Sequence, residues 1–433
     1  MFEKYSEYRD SGNVWLGDIP KSWQLKKLKT IASFINRGVT PSYVEQSDFR
    51  VVNQATFSKG YFDADNCKFT KVGPFEKIGA VKGTVFKNDI LLASTGGGVL
   101  GKVAFFDLNK NNYLADSHVT IIRGDDNFHA KFYYYIFSIN YDLINGILAQ
   151  GSTNQTELQR DWLRDLVFPV PSLAEQTAIA NFLDRKTAQI DQAVSIKEKQ
   201  IELLKERRQI LIHNAVTRGL SLDVKMKDSG VEWIGEIPEH WEVFANRVLF
   251  TERNQPGREG LPLLSVSIHT AISSEELDEE SNIRGKVKIE DKSNYKLVEV
   301  NDIVFNMMRA WQGAIGAVGT NGMVSPAYVV AKPNKNIEAN YAEYQFRTSI
   351  YIQEMNRVSK GITDFRKRLY WHEFKQLTTV VPPYKEQKEI VSYIENINQK
   401  IATAISLKQK EIEKLKEYKS TLINSAVTGK IKV

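Results

Sequence analysis

The chain has 433 residues, of which 42% are hydrophobic and 25% charged, with a net charge of +6. That is enough for two or three domains with proper cores, and so mild a positive balance is too common to argue for nucleic acid alone. A single cysteine, Cys67, excludes an internal disulfide framework and a cysteine-built zinc site and suits a reducing cytoplasm; the opening MFEKYSEYRD has no apolar signal-peptide run, and no stretch reaches transmembrane length.

The first element is a motif that returns. Asp10-Ser11-Gly12 leads through Trp15, Gly17, Ile19 and Pro20 to Trp23, and 218 positions later Asp228-Ser229-Gly230 leads through Trp233, Gly235, Ile237 and Pro238 to Trp241. A second match, Gln189–Leu220 with Lys400–Ile431, is shifted by 211 and ends in Ala215-Val216-Thr217 and Ala426-Val427-Thr428. The period far exceeds the roughly 20–50 residues of a solenoid unit and fits a duplicated domain. Because the offsets differ, the variable material lies between constant segments.

The first variable insert, Trp23–Val170, reads as mixed α/β. Strands are expected at Arg50–Asn53, Ile90–Ser94, Lys102–Phe106 and His118–Ile122, then a helix over Ala130–Leu148 with Phe132, Ile136, Ile139 and Leu143 on one face. Gly96-Gly97-Gly98-Val99-Leu100-Gly101-Lys102-Val103 comes within one residue of a phosphate-binding loop, but Val103 cannot ligate magnesium and Val103-Ala104-Phe105-Phe106 reads as strand. The expectation is a glycine turn between strands. A polar segment follows the helix, Gly151-Ser152-Thr153-Asn154-Gln155, with Arg160 beyond it.

A long helix comes next, announced by Val170-Pro171-Ser172-Leu173-Ala174-Glu175-Gln176. Its apolar positions Leu183, Ile190, Val194, Ile201, Leu204, Leu211 and Ala215 are spaced 7, 4, 7, 3, 7, 4, a single narrow stripe. The later copy, Ile394, Ile401, Ile405, Ile412, Leu415, Leu422 and Ala426, keeps every step. Either each helix packs on its own domain as ordinary core, or the two pack on each other as an antiparallel pair. The narrow stripe, duplicated in register, favours the pair, with Leu183 to Ala215 spanning about 50 Å.

The second insert, Trp241–Val381, repeats the order: strands at Leu263–Val266, Ile303–Asn306, Ala314–Val318 and Ala327–Ala331, then a helix over Ala339–Val358. Asn88-Asp89-Ile90 and Asn301-Asp302-Ile303 mark one shared turn into a strand. After the helix runs Gly361-Ile362-Thr363-Asp364-Phe365-Arg366-Lys367-Arg368-Leu369-Tyr370-Trp371. Its exit, Val381-Pro382-Pro383-Tyr384, contains the Pro-Pro-Tyr of amino-methyltransferase sites but lacks the Asp or Asn before it, so the catalytic reading fails. The six histidines show no metal-ligand spacing, and no Rossmann-type glycine loop is present.

What remains on the inserts suits DNA. Arg366, Lys367 and Arg368 beside Tyr370 and Trp371 are what phosphate anchoring requires, while Asn53, Gln54, Asn154 and Gln155 carry amides able to pair with adenine edges. Arg309 and Gln312 flank the second glycine turn; Lys102 and Arg160 complete the candidates. The plain alternatives are a solvated charge run, a core Trp371 and structural amides, and for any single amide they weigh at least equally.

Together, Asp-Ser-Gly-x-x-Trp-x-Gly-x-Ile-Pro-x-x-Trp, the Pro…Glu-Gln helix start and the Ala-Val-Thr helix end, each in two copies, resemble the specificity subunit of type I restriction–modification systems over essentially the whole chain. The resemblance implies an α+β protein: two mixed α/β target-recognition domains joined by two long antiparallel coiled-coil helices in a pseudo-twofold repeat. The expected division is a first recognition domain over 1–170, a central helical region over 171–227, a second recognition domain over 228–381 and a C-terminal helical region over 382–433. The resemblance further implies that each domain reads half of a split, asymmetric double-stranded DNA target. The helices would dock methyltransferase subunits and restriction/translocase subunits. No cofactor is expected in this chain; S-adenosylmethionine, ATP and Mg would belong to those partners. The chain is expected to be cytoplasmic and without a membrane partner, and the same resemblance implies that it has no catalytic residues. A coiled-coil scaffold binding only proteins, or a methyltransferase or nuclease with an unrecognised site, are the alternatives.

Overall fold

A computed structural model describes residues 2–71, 82–96, 98–150, 156–221, 223–268, 271–274, 294–361 and 367–433. The chain divides into two compact units, Met1–Lys197 with Lys410–Val433, and Glu198–Gln409.

The first unit opens with the recurring motif, which is a β-hairpin: Tyr8–Asp10 pairs antiparallel with Asp18–Pro20. Asp10 Oδ1 accepts from Gly12 N at 2.9 Å and Ser11 Oγ from Asn13 N at 3.1 Å, so the Asp-Ser-Gly triplet builds its own turn. Gly12 and Gly17 take positive φ there. Strands Gln24–Lys27 and Val167–Val170 pair antiparallel and close the insert at its base. Inside, β1 (Ala32–Arg37), β2 (Asp89–Ala93), β3 (Val103–Phe106) and β4 (Val119–Gly124) form an antiparallel sheet ordered β1-β4-β2-β3. The helix expected over Ala130–Leu148 is α1 (Ala130–Ile139), a turn at Tyr141–Leu143 and a π-turn over Ile144–Leu148. Asn140 interrupts it: its Nδ2 donates to Ile136 O at 2.7 Å, a side-chain bond that competes with the helical ladder. Helix α2 (Leu173–Arg218) begins in this unit.

The second unit repeats the plan. Met226–Asp228 pairs with Glu236–Pro238, Asp228 and Ser229 cap the turn as before, and Glu242–Ala245 pairs with Thr378–Val381. β5 (Phe250–Glu252), β6 (Ile303–Asn306), β7 (Ile315–Ala317) and β8 (Tyr328–Pro333) follow the same order, β5-β8-β6-β7. The helix expected over Ala339–Val358 is two, α3 (Ala339–Phe346) and α4 (Ser349–Val358), because Thr348 caps α4 by accepting from Tyr351 N. Helix α5 (Tyr384–Val427) begins here. The smaller sheets differ. The first unit joins Arg50–Val52 to Tyr113–Ala115 in parallel, whereas in the second the described strands pair antiparallel and the parallel pairing is an isolated bridge, Leu263 with Met323.

The shared Asn-Asp turn has one geometry: Asn88 and Asn301 sit at φ 73° and 72°, the left-handed region that Asn tolerates better than most residues. Asp89 and Asp302 are buried behind it, and each accepts a backbone N–H three residues back. Their cations come from different strands. Arg123 on β4 forks onto both Asp89 oxygens at 2.7 Å, while Arg253, just after β5, pairs with Asp302 at 2.7 Å. Burial pushes the Asp89 carboxyl up from the usual carboxylate range, and Arg123 opposes the shift.

The long helices are antiparallel in each unit. In the first, Asp191 of α2 meets Lys419 of α5 and Lys197 meets Glu411, both at 2.6 Å, so numbers rise on one helix as they fall on the other. In the second, Ala215 and Val216 near the end of α2 share a core with Ile390 and Ile394 near the start of α5. Leu183, Ile190, Val194, Ile201, Ile394, Ile401, Ile412 and Leu422 are buried, and Leu204, Leu211, Ile405 and Leu415 half-buried. The two packing readings divide along the stripe. Ile394 lies in a core with Trp241, Tyr341 and Val380, whereas Val194 and Ile412 are bracketed by the ion pairs that join the helices. Gly429, at positive φ after α5, abuts Pro20 and Trp23; Gly219, after α2, abuts Trp241. Any side chain at Gly429 would collide with the Pro20 ring.

Among the described residues, no helix is long and apolar enough to cross a membrane.

Candidate nucleic-acid interface

In both units the turn leaving the second sheet strand meets the segment that follows the head's helices. In the first unit, Ser94–Gly96 follow β2, and a turn at residues 98–101 leads into β3. Thr156–Leu158 lies beside that turn, with Gly96 N donating to Thr156 O at 3.1 Å and Leu158 N to Ser94 O at 2.8 Å. In the second, the turn after β6 is met by Lys367–Tyr370, with Leu369 N donating to Met307 O at 2.9 Å. One topological position thus forms an exposed polar surface on each head.

The first surface is a network of committed side chains. Gln54 Nε2 donates to both the carbonyl and the hydroxyl of Thr95. Thr95 Oγ1 lies 2.7 Å from the ring Nδ1 of exposed His118, whose backbone N–H is held by Asp116 at 2.9 Å. Burial pushes the Asp116 carboxyl up, and that N–H pulls it down. Arg37 pairs with Glu157 and donates to Leu158 O at 3.1 Å, tying β1 to the segment. Asn53 caps the short helical turn Gln54–Phe57 through Ala55 N, and Lys102 donates to Ser58 O at 2.8 Å. Lys102 therefore braces a loop, and residues 98–101 form a turn with no helix to receive a phosphate. Arg160 is exposed and reaches Asn36 Oδ1 at 3.4 Å, with Trp162 half-exposed nearby on the same short helix. Asn154 and Gln155 lie outside the described residues.

The second surface is cationic and aromatic. Asn306 Oδ1 accepts from Met308 N at 2.9 Å and fixes the turn. Met308, Arg309 and Gln312 are exposed around Trp311, whose Nε1 donates to Met308 O at 2.9 Å. Lys367 Nζ sits 5.5 Å from the centre of the Trp311 ring and donates to Asn356 Oδ1 at 2.7 Å, so it bridges the turn to α4. Arg368 pairs through its backbone with Lys360 and donates to Lys367 O, and Tyr370 is 46% exposed. Gly313 allows this closure: its φ is +95° and a Cβ would lie 2.9 Å from Ile352 Cδ1. Arg309, Gln312, Lys367, Arg368 and Tyr370 are thus brought together; Arg366 lies outside the described residues. Trp371 is half-buried against the core.

The sequence reading missed His118, Thr95, Arg37, Trp162, Met308 and Trp311. Trp162 and Trp311 each stand two residues from a chosen Arg, which is the one local signal that could have found them. Among the described residues, no group of three or more His, Cys, Asp or Glu is placed to hold a metal ion.

The family of the type I restriction modification DNA specificity domain matches residues 20–206 and 243–417. The chain belongs to the type I restriction–modification specificity subunits. The putative type I restriction enzyme MjaX specificity subunit of Methanocaldococcus jannaschii is 25% identical over 96% of both chains. The type I restriction enzyme EcoBI specificity subunit of Escherichia coli is 28% identical over 63% of this chain and 60% of that protein. A solved chain from a type I R-M system shares the fold at a TM-score of 0.67 and 13% identity, covering 94% of this chain and 98% of that one. The specificity subunit is a non-catalytic member of its system, and its two matched segments correspond to the two repeats.

Proposed function

We propose that each head reads one half of a split, asymmetric DNA target through its turn-and-segment surface. The observation that carries this reading is the shared position with divergent chemistry: hydroxyl, imidazole and amide groups on the first head, cations and aromatics on the second. Arginine recognises guanine edges and amides recognise adenine edges in the major groove, while exposed cations anchor phosphate. Different surfaces on equivalent frames read different half-sites.

The helices act as the spacer and dock the partners. At 46 residues α2 is about 69 Å long, ample against the roughly 34–36 Å between half-site centres one DNA turn apart. Away from its buried stripe, α2 exposes Leu203 and Ile210 seven residues apart, an apolar pair suited to a methyltransferase subunit that brings S-adenosylmethionine; restriction subunits would bring ATP and Mg.

Methylation mapping of genomic DNA from cells that carry the chain with its partner subunits tests this. A two-part adenine-methylated motif with an unread spacer is expected. The absence of any new mark, or a continuous motif, contradicts it.

A further inference from the structure

The Glu-Gln pair at each long helix start does two separate jobs. The glutamates face the frame: Glu175 Oε1 accepts from Trp23 Nε1 at 3.0 Å, and Glu386 Oε2 meets His240 Nε2 at 2.8 Å. The glutamines face the heads. Gln176 is fully buried; its Oε1 accepts from His129 N at 2.9 Å, and its Nε2 donates to Asn127 O at 3.2 Å and Pro171 O at 3.0 Å. Gln387 is likewise fully buried, accepting from Glu338 N at 2.8 Å and donating to Asn336 O and Pro382 O, both at 2.9 Å.

In each unit, then, one side chain staples three backbone segments: the residue just before α1 or α3, the loop ahead of it, and the proline turn that opens the long helix. An Asn carbonyl and a Pro carbonyl accept in both copies, and the third partner changes from His129 to Glu338 while its backbone N–H bond is kept. Only glutamine has an acceptor and a two-proton donor at this reach, and a buried amide with all three partners met costs little to bury and much to break.

We infer that Gln176 and Gln387 are positioning residues that lock each reading head to its spacer helix, and so set the half-site spacing the protein accepts. This rests on the DNA-reading function proposed above. The surfaces that choose bases lie at the glycine turns, so loosening a staple frees the angle of a head and leaves its chemistry intact.

The test uses the full chain, co-produced with its partner methyltransferase subunits, carrying Gln176→Leu, Gln387→Leu, or Gln→Glu at either position, which keeps the acceptor and loses the donors. Methylation is measured on DNA bearing the wild-type half-sites at the native separation and at one base pair more or fewer. The leucine variants are expected to raise modification of the off-length sites about tenfold relative to the native length, with half-site bases unchanged and the glutamate variants intermediate. Unchanged spacer preference in a folded variant, or altered half-site bases, overturns the inference. Loss of the fold in every variant assigns the glutamines a folding role and also overturns it. A wild-type map with no two-part site would instead sink the reading on which it rests.

Discussion

The start of each long helix and the glycine turn of each head belong to one compact unit, yet duplication has treated them oppositely. Around Gln176 and Gln387 the same three backbone partners are engaged through the same atoms. At the turns after β2 and β6 the backbone meeting is kept while the side chains share nothing: Gln54, Thr95 and His118 bond to one another on one head, and Lys367 lies over Trp311 on the other. A buried polar staple has few solutions because an unmet amide is costly, whereas an exposed turn tolerates any chemistry that leaves its backbone closed. Constancy marks the frame and divergence marks the surface proposed above as the reader.

The largest expected effects lie in the frame. Arg253 is 6% exposed and Asp302 2%, so Arg253→Leu strands a buried carboxylate and is expected to cost about 3–5 kcal/mol, read as a lowered denaturation midpoint of the full chain. Ile190→Ala, on the seam between the long helices, is expected to cost about 2–4 kcal/mol with half-site bases unchanged. At the reader the sign reverses: Arg309→Ala should leave stability within about 0.5 kcal/mol of wild type. It should weaken DNA binding by about 1–3 kcal/mol and relax one half-site, seen in binding isotherms against single-base variants. Arg160→Ala should instead weaken all sequences alike and lower the salt slope by about one. The smallest effect sharpens the boundary between the two classes. Asn53→Ala removes a turn cap worth about 1 kcal/mol, and Asn53→Ser restores it; a base-reading Asn53 would not be rescued by serine.

Much of the frame was legible in the sequence because its signals are local and written twice. The seam spacing, the proline turns and the Asn-Asp turn survive as read, and the hairpin motif explains its own Asp-Ser-Gly triplet. The reader was legible in part. Arg309, Gln312, Lys367, Arg368 and Tyr370 do converge, but the bond that joins them, Leu369 N to Met307 O, crosses more than sixty residues and leaves no periodic trace. Asn53, Gln54 and Lys102 were chosen by residue type alone, and the fold adds what type could not show: each makes a bond within the protein. The single helices expected over Ala130–Leu148 and Ala339–Val358 break at Asn140 and Thr348, where a side chain outcompetes the helical ladder.

The most direct test of this division duplicates one reader in both frames. Each head is closed by its entry and exit strands, Gln24–Lys27 with Val167–Val170 and Glu242–Ala245 with Thr378–Val381, which supply the exchange boundaries. A chain carrying the second head in both places, produced with its partner subunits, is mapped for methylated sites. The account predicts a two-part motif in which the second half-site appears at both ends and the first is absent. Persistence of the first half-site in that folded chain would contradict it.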